Sequence, residues 1–305
     1  MKTIEQPIFF IGVPRSGTTI TYELFSKHPD LAWLSNFSTK FPTMTWINLF
    51  IGLVDNKYIS IRGIKPQYNS ISFFNKFMPK TDEGYNFWNL HTNADFSRDY
   101  LLDKCASDEE INHVQRVISK IVSYRGKKRF TAKLTGPGRI SYLNSIFPDA
   151  IFIHIIRDGR SVTDSLMKVG FWKNRKLEPW WRNGLNKQDL HVWKDCNLDP
   201  YVLTAIQWNR IIETTQSEAK RLTNSDQRYL EVRYEDFVKS PKDILKKVFS
   251  FCGLESSSPT VINCLNDVEI HSNFNKKYLE EWDHDTVNKV SNVIKQKMQK
   301  LDYEM

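Results

Sequence analysis

The sequence predicts an α/β fold of the phosphate-loop type, with a parallel sheet flanked by helices and a mostly helical insertion. Three observations lead to this fold class. An apolar run at residues 7–12 leads into GVPRSGTT, residues 12–19, which has the glycine spacing of a phosphate-binding loop. Apolar runs recur later, each followed by a helical pattern, as in a parallel sheet covered on both faces. Residues 30–128 show no clear strand and form the insertion.

Each element is predicted by its own pattern. The run at residues 7–12 is a buried strand, and the helix after the loop places Ile20, Leu24 and Phe25 on one face before Pro29 ends it. Further strands are predicted at residues 129–134, 150–156 and 228–234. Helices are expected at about 139–147, 160–169, 201–222, 241–253 and 285–301. Ligands of such sheets bind beyond the carboxyl ends of the strands.

These elements form a single domain over residues 1–305. Its core comprises about 7–29 and 129–255, with the insertion at about 30–128 and a C-terminal loop and helix at about 256–305. The insertion is a natural place for an acceptor pocket. Its stretch at 44–54 is apolar but too short to span a bilayer, so it is either a buried helix or a surface that meets lipid or a partner.

Composition limits the functional classes. The chain has 305 residues, of which 40% are hydrophobic, and a net charge of +8, which favours anionic ligands. The four cysteines are too far apart for a zinc cluster, so we expect no metal site and a reducing, cytoplasmic location. The sequence shows no nucleic-acid-binding motif and no transmembrane segment, and the absence of an N-terminal anchor argues against a Golgi-type membrane enzyme.

The phosphate loop departs from the nucleotide-triphosphatase pattern in one position. Thr18 stands where that pattern has a lysine, and the loop's cation is Arg15 instead. The apolar run at residues 150–156 ends in Arg157 before Asp158, so the expected metal carboxylate is preceded by a guanidinium. Such a site holds anionic groups with cations and backbone amides rather than with a metal, which points away from transfer of a γ-phosphoryl group.

Three segments resemble the sulfotransferases that use 3′-phosphoadenylyl sulfate (PAPS). PRSGTT resembles their 5′-phosphosulfate loop, and RDGRSVTDSL is similar to their 3′-phosphate motif, in which an Arg is followed eight residues later by a Ser. RYEDFVKSP resembles a third family segment. The insertion looks like that of the bacterial and tyrosylprotein branch. AKLTGPG has Lys133 but lacks the catalytic histidine of the cytosolic steroid and phenol enzymes.

The resemblance implies transfer of a sulfuryl group from PAPS, with 3′,5′-ADP as the product and no metal required. It implies a catalytic Lys133, assisted by Arg15, and we take Glu83 as the candidate general base because it lies among aromatic residues of the insertion. The residues expected to bind the donor are Arg15, Ser16, Gly17, Thr18 and Thr19 in the loop, Arg157 and Ser165 in the 3′-phosphate motif, Tyr234 in the third segment, and Lys276 or Lys277 in a late loop.

Plainer roles stand beside several of these assignments. Glu83 is equally a solvated loop acid, with Asp82 and His91 as rival bases, while Lys133, Ser165 and the lysine pair are alternatively surface residues. His154 is expected to be a core histidine, and Arg160 a solvated charge. The tryptophans Trp172, Trp180 and Trp181 either line an acceptor site or pack at the edge of a subdomain.

The sequence therefore predicts a PAPS-dependent sulfotransferase that acts on a hydroxyl or amine of an unidentified acceptor. A sugar, a lipid, a peptide tyrosine and a small metabolite all remain open as that acceptor. One alternative is a phosphate-loop kinase for a small molecule, which needs a lysine and a metal carboxylate. The other is a nucleotide-binding protein of the same fold without catalytic activity.

Overall fold

The structure of the protein is a computed structural model, and it describes residues 4–56, 59, 61–63, 75, 77–173, 177–257 and 277–304. Its centre is a parallel sheet of five strands in the order β2-β3-β1-β4-β5, which confirms the predicted fold class. The strands are β1 (Ile8–Gly12), β2 (Leu31–Trp33), β3 (Arg129–Thr135), β4 (Ile151–Ile156) and β5 (Tyr229–Arg233).

Helices cover both faces of the sheet. Alternate side chains of β1 point to opposite faces: Phe9 and Ile11 enter one buried cluster, and Ile8 and Phe10 enter another. The helices are α1 (Thr18–Phe25), α2 (Asn36–Lys40), α3 (Ile47–Val54), α4 (Tyr85–His91), α5 (Asp108–Tyr124), α6 (Ile140–Ile146), α7 (Gly159–Met167), α8 (Gly170–Lys173), α9 (Lys187–Asp195), α10 (Pro200–Ala219), α11 (Ser225–Arg228), α12 (Tyr234–Lys239), α13 (Pro241–Phe251), α14 (Tyr278–Glu281) and α15 (His284–Lys300).

The strand register brings three loops together at one edge of the sheet. β1 lies between β3 and β4, and Gly12 at its end is opposite Thr135 of β3. Arg157 follows the last residue of β4 directly. Since all the strands are parallel, the loops after β1, β3 and β4 meet at their carboxyl ends, where ligands of such sheets bind.

The prediction that residues 30–128 contain no strand is wrong. The three residues of β2 pair with β3 at the edge of the sheet, and all three are fully buried. A strand this short has too few residues to show a period of two, so the pattern in the sequence does not reveal it. The rest of the described insertion is mainly helical, as expected, and α5 begins at a capping box between Ser107 and Glu110.

The apolar stretch at 44–54 forms a surface helix rather than a buried one. Within α3 only Asn48 and Ile51 are buried, whereas Phe50 and Leu53 are 60% and 69% exposed. None of the helices in the described ranges has the length and apolarity needed to cross a membrane.

Candidate functional site

The phosphate loop wraps around the start of α1. Gly17 caps this helix with a φ of 85°, in the left-handed region that favours glycine. A Cβ atom at Gly17 would lie 2.0 Å from the ring of Tyr234, so the close approach of that ring also requires glycine. No pattern in the sequence indicates this contact, because residues 17 and 234 are far apart in the chain.

The two motifs that are predicted to bind the sulfuryl donor lie next to each other in the folded chain. The Nε of Arg15 donates a hydrogen bond to the Oγ of Ser165 at 2.9 Å, and Nη1 of Arg157 donates to the carbonyl oxygen of Arg15 at 3.0 Å. The guanidinium of Arg157 is largely buried and lies 4.9 Å from the ring centre of Tyr234. The loop after β1, the turn after β4 and the start of α12 therefore form one cationic surface.

The loop also contains a buried polar atom that fits an anionic ligand. The Oγ of Ser16 is buried and, among the residues that the structure describes, has no hydrogen-bond partner. Buried hydroxyl groups are normally satisfied, and the N-terminus of a helix attracts negative charge. The neighbouring Thr18 and Thr19 are the first residues of α1, so an anionic group at this loop meets both hydroxyl and backbone donors.

Lys133 joins the phosphate loop to the insertion. Its Nζ donates to the Oγ1 of Thr19 at 3.0 Å and lies 2.8 Å from Oε1 of Glu83. The second oxygen of Glu83 accepts a hydrogen bond from Oγ1 of Thr135 at 2.9 Å. The side chains of Lys133 and Glu83 are 5% and 20% exposed, so neither is the solvated surface residue of the plainer interpretation.

The pKa of Glu83 reflects this setting. Burial alone would raise the pKa of the carboxyl group, but attraction to Lys133 and hydrogen bonds from Lys133, Tyr85 and Thr135 outweigh it. The pKa therefore lies below the ordinary value of a glutamate, and Glu83 is a carboxylate at neutral pH. Thr135 was missed as a site residue, although it lies two positions after Lys133 on β3 and therefore on the same face of the strand.

The two rival candidates for the general base, Asp82 and His91, make their contacts within the insertion. Oδ1 of Asp82 accepts hydrogen bonds from Oγ1 of Thr39 and from the backbone N–H of Gly84, which fixes the turn before α4. The two ring nitrogens of His91 lie 2.9 Å from Nε2 of His113 and 3.1 Å from the carbonyl oxygen of Pro42. These contacts give Asp82 and His91 structural roles, whereas Glu83 touches Lys133.

His154 and Arg160 are predicted to have no catalytic role. His154 is a core histidine, as predicted: it is fully buried, burial lowers its pKa to about 4, and its Nδ1 lies 2.6 Å from the hydroxyl of Tyr229. The expectation that it is fully satisfied is wrong, because its buried Nε2 has no hydrogen-bond partner among the described residues. The prediction that Arg160 is a solvated charge is wrong, because its guanidinium is mostly buried and binds both oxygens of Asp158.

The tryptophans pack rather than line an open surface. Trp172 and Trp181 are buried, and Trp172 stacks on Trp180 with ring centres 5.9 Å apart. Trp181 packs on Gly136 in the loop after β3, where a Cβ atom would lie 2.6 Å from its ring. These contacts support the packing alternative for the cluster.

The lysine pair lies at the edge of the described structure. Lys276 falls outside the described residues, and Lys277 is exposed immediately before α14. The segment that follows Lys277 is fastened to α7, because Nε1 of Trp282 donates to Asp164 at 3.2 Å. Lys277 therefore precedes a helix anchored next to Ser165. Within the described ranges, no group of three or more His, Cys, Asp or Glu side chains is arranged to hold a metal ion.

Comparisons with known proteins identify the family of this chain. A family model described as "Sulfotransferase family" matches residues 7–258. The chain is 30% identical over 122 residues to protein-tyrosine sulfotransferase 2 of Gallus gallus, a match that covers 40% of this chain and 27% of the relative. It is 23% identical over 265 residues to omega-hydroxy-beta-dihydromenaquinone-9 sulfotransferase Stf3 of Mycobacterium bovis, covering 82% of this chain and 63% of that protein. In both cases the match spans less than two thirds of the relative.

The fold also resembles a solved sulfotransferase structure. The crystal structure of sulfotransferase STF9 from Mycobacterium avium superposes with a TM-score of 0.61 at 16% sequence identity, over 100% of this chain and 79% of the other. At this identity the similarity establishes a shared fold. The parallel sheet and its helical layers therefore share the fold of that sulfotransferase.

Proposed function

We propose that this chain, which belongs to the sulfotransferase family, uses PAPS to sulfate a hydroxyl or amine of an acceptor and releases 3′,5′-ADP. One observation carries the proposal. The ammonium group of Lys133 contacts both Thr19 of the phosphate loop and the carboxylate of Glu83. A single cation thus joins the side that would bind a donor to the side that would activate an acceptor.

On the donor side, the residues supply cations and hydrogen-bond donors to two anionic groups. Arg15 and residues 16–19 would hold the 5′ phosphosulfate at the N-terminus of α1, where the unpaired Oγ of Ser16 favours an oxygen-rich ligand. Arg157 and Ser165 would hold the 3′ phosphate, and they already lie within hydrogen-bond distance of Arg15. Two further assignments follow the family resemblance: Tyr234, which packs against the loop, and Lys277, which directly precedes α14.

On the acceptor side, the donor supplies the sulfuryl group, and the protein supplies charge and a proton acceptor. A bond forms between the acceptor oxygen and sulfur while the bond from sulfur to the phosphate oxygen breaks. Lys133 would stabilise the charge that develops on the oxygen left behind, and Glu83 would take the acceptor proton. If Lys133 turns toward a bound anion, it attracts Glu83 less, and the pKa of the carboxyl rises toward that of a general base.

The names of the relatives support a hydroxyl acceptor. One refers to a protein tyrosine and the other to an omega-hydroxy group, and both are hydroxyls. We therefore favour a hydroxyl over an amine, without assigning the acceptor molecule. The cytoplasmic location and the single-domain organisation stay predictions from the sequence.

The first test is binding of the product nucleotide. We expect calorimetry to show that the protein binds 3′,5′-ADP without Mg²⁺, and that Arg157→Ala weakens binding about 100-fold, since charge-assisted hydrogen bonds to phosphate are lost. Arg221→Ala is the matched control, because Arg221 pairs with Asp103 at the surface. Binding of ATP that requires Mg²⁺, with indifference to 3′,5′-ADP, would support the kinase alternative instead. Binding of 3′,5′-ADP without transfer to any acceptor in a broad panel would favour the non-catalytic alternative.

A further inference from the structure

The insertion carries an exposed apolar surface around α3. Of the 15 large hydrophobic side chains that are exposed in the described structure, nine lie between residues 41 and 77. We call this the α3 surface, formed by Phe41, Met44, Trp46, Leu49, Phe50, Leu53, Ile59, Ile61 and Phe77. Exposed apolar patches of this kind mark surfaces that meet a partner or a membrane.

Helix α3 is oriented with its apolar stripe facing outward. Trp46, Leu49, Phe50 and Leu53 follow the spacing i, i+3, i+4 and i+7, which places them on one face of a helix. All four are exposed, and the rings of Trp46 and Phe50 contact each other edge to face at 5.9 Å. The polar Asn48, by contrast, is buried. Packing against the part of the chain that the structure describes therefore does not account for the apolar stripe.

The same part of the chain concentrates positive charge. Residues 31–81 contain six lysine or arginine residues and a single acidic one, Asp55. That carboxylate is buried and paired with Arg62 and Arg125, so it adds no negative charge to the α3 surface. Lys40 is exposed at the edge of this surface, with its Nζ 5.4 Å from the ring centre of Phe41. Exposed aromatic and aliphatic groups together with basic residues are the composition that binds anionic lipid surfaces.

The α3 surface begins close to the acceptor side of the proposed site. Oγ1 of Thr39 bonds to Asp82, which directly precedes Glu83, and Nδ2 of Asn86 donates to the carbonyl oxygen of Thr39 at 3.1 Å. Phe41 follows Thr39 by two residues. A binding partner that covers the α3 surface therefore lies next to the loop that carries Glu83.

We propose that the α3 surface docks onto the face of a membrane that contains anionic lipid. α3 has 8 residues, far fewer than the ~20 needed to span a bilayer, so the helix lies in the headgroup region with Trp46, Phe50 and Leu53 inserted. The exposed Lys40 at the edge of this surface adds electrostatic attraction. Docking by itself is independent of the reaction. Its consequence for the acceptor, which would be presented to Glu83 from the lipid side, rests on the proposed function.

Vesicle binding tests the docking without turnover. The full chain is sedimented with vesicles of phosphatidylcholine alone and with vesicles that also contain phosphatidylglycerol. Phe50→Ser combined with Leu53→Ser removes two exposed side chains of the α3 surface, so the fold should be retained, which thermal unfolding checks. The matched control combines Leu177→Ser with Leu190→Ser, two exposed leucines outside the insertion.

We expect binding to the phosphatidylglycerol vesicles that weakens at high salt, falls about tenfold or more in the α3 double variant and persists in the control. Lys40→Glu should also weaken it. Absence of binding, equal binding to both kinds of vesicle, or equal loss in the control would overturn the proposal. So would sedimentation equilibrium showing a wild-type dimer that the α3 double variant dissociates, since a second copy would then cover the surface. Because donor binding is measured separately, failure here leaves the proposed function untouched.

Discussion

The donor side and the acceptor side of the proposed site are formed by different kinds of chemical groups. On the donor side, backbone groups at the start of α1 combine with Arg15 and Arg157, and two turns at the same sheet edge place them together. On the acceptor side, a single ion pair between Lys133 of β3 and Glu83 of the insertion joins segments about 50 residues apart. Many small contributions thus hold the donor side, and two side chains decide the acceptor side.

This difference determines how each side responds to change. A distributed site keeps part of its affinity when one member is removed, because the backbone amides remain. A site of two charged side chains loses its chemistry when either is replaced. Variants of the acceptor side should therefore act on turnover, and variants of the donor side on affinity.

The largest effect is expected for Lys133→Ala. Without the ammonium group, the charge that develops on the leaving oxygen has no fixed cation, so kcat should fall about 1,000-fold. Affinity for 3′,5′-ADP should change much less, which initial rates and calorimetry on the same variant would measure. Lys128→Ala is the control, because Lys128 is exposed and pairs with Asp30. An equal loss of affinity and turnover would erase the proposed division between the two sides.

Glu83→Gln should have the next largest effect, a fall in kcat of about 100-fold, since the amide cannot accept the acceptor proton. Because the pKa of Glu83 is lowered in the free protein, kcat/KM, which reports groups of the free enzyme, should be retained into the acidic range and be lost as the pH falls through that pKa. The pH–rate profile of the wild type checks this. Asp82→Asn provides the comparison: if it lowers kcat as much as Glu83→Gln while stability is unchanged, Asp82 is the better candidate for the base.

Gly17→Ala should disturb the donor side more moderately. A Cβ at this position meets the ring of Tyr234, and the left-handed φ adds strain, so affinity for 3′,5′-ADP should fall about tenfold. Gly126→Ala is a matched control, because Gly126 also has a positive φ but a Cβ there has nothing within 4 Å. If both variants bind alike, the contact between Gly17 and Tyr234 does not shape the donor site.

The last prediction concerns stability rather than the site, and it separates titration of the site from titration of the scaffold. His154 has a folded-state pKa of about 4, below its ordinary value of 6.5, so the unfolded state binds more protons between these values. Stability should fall by about 2 kcal/mol from pH 7 to pH 5. Thermal unfolding at both pH values should show that His154→Leu reduces this difference. An unchanged pH dependence in the variant would mean that other groups cause it.

The sequence predicted much of the donor side because its signals are local. The glycine spacing of residues 12–19, the strand before it and the Arg157–Ser165 spacing each lie within one short segment. The sequence could not indicate the ring of Tyr234 against Gly17, or the hydrogen bond from Arg15 to Ser165, because these contacts join segments that are distant along the chain. The three-residue strand β2 was not predicted for another reason: it is too short to show the alternation of a strand.

The acceptor side was less predictable from the sequence, because its two charged residues come from distant segments. The sequence proposed Lys133 and Glu83 separately, each beside a plainer alternative, and gave no reason to pair them. It also left open whether the stretch at 44–54 is buried. The fold decides these points by burying Lys133 between Thr19 and Glu83 and by turning the apolar face of α3 outward.

Spacing and residue type act within a few residues, and they therefore predicted the class of fold, the location of the phosphate loop and the anionic character of its ligand. The folded chain, in contrast, sets which charges meet, which are buried and which apolar groups remain outside. Those properties depend on distances between segments far apart in the chain. The ion pair between Lys133 and Glu83, on which the proposed chemistry rests, exists only once the insertion folds back onto β3.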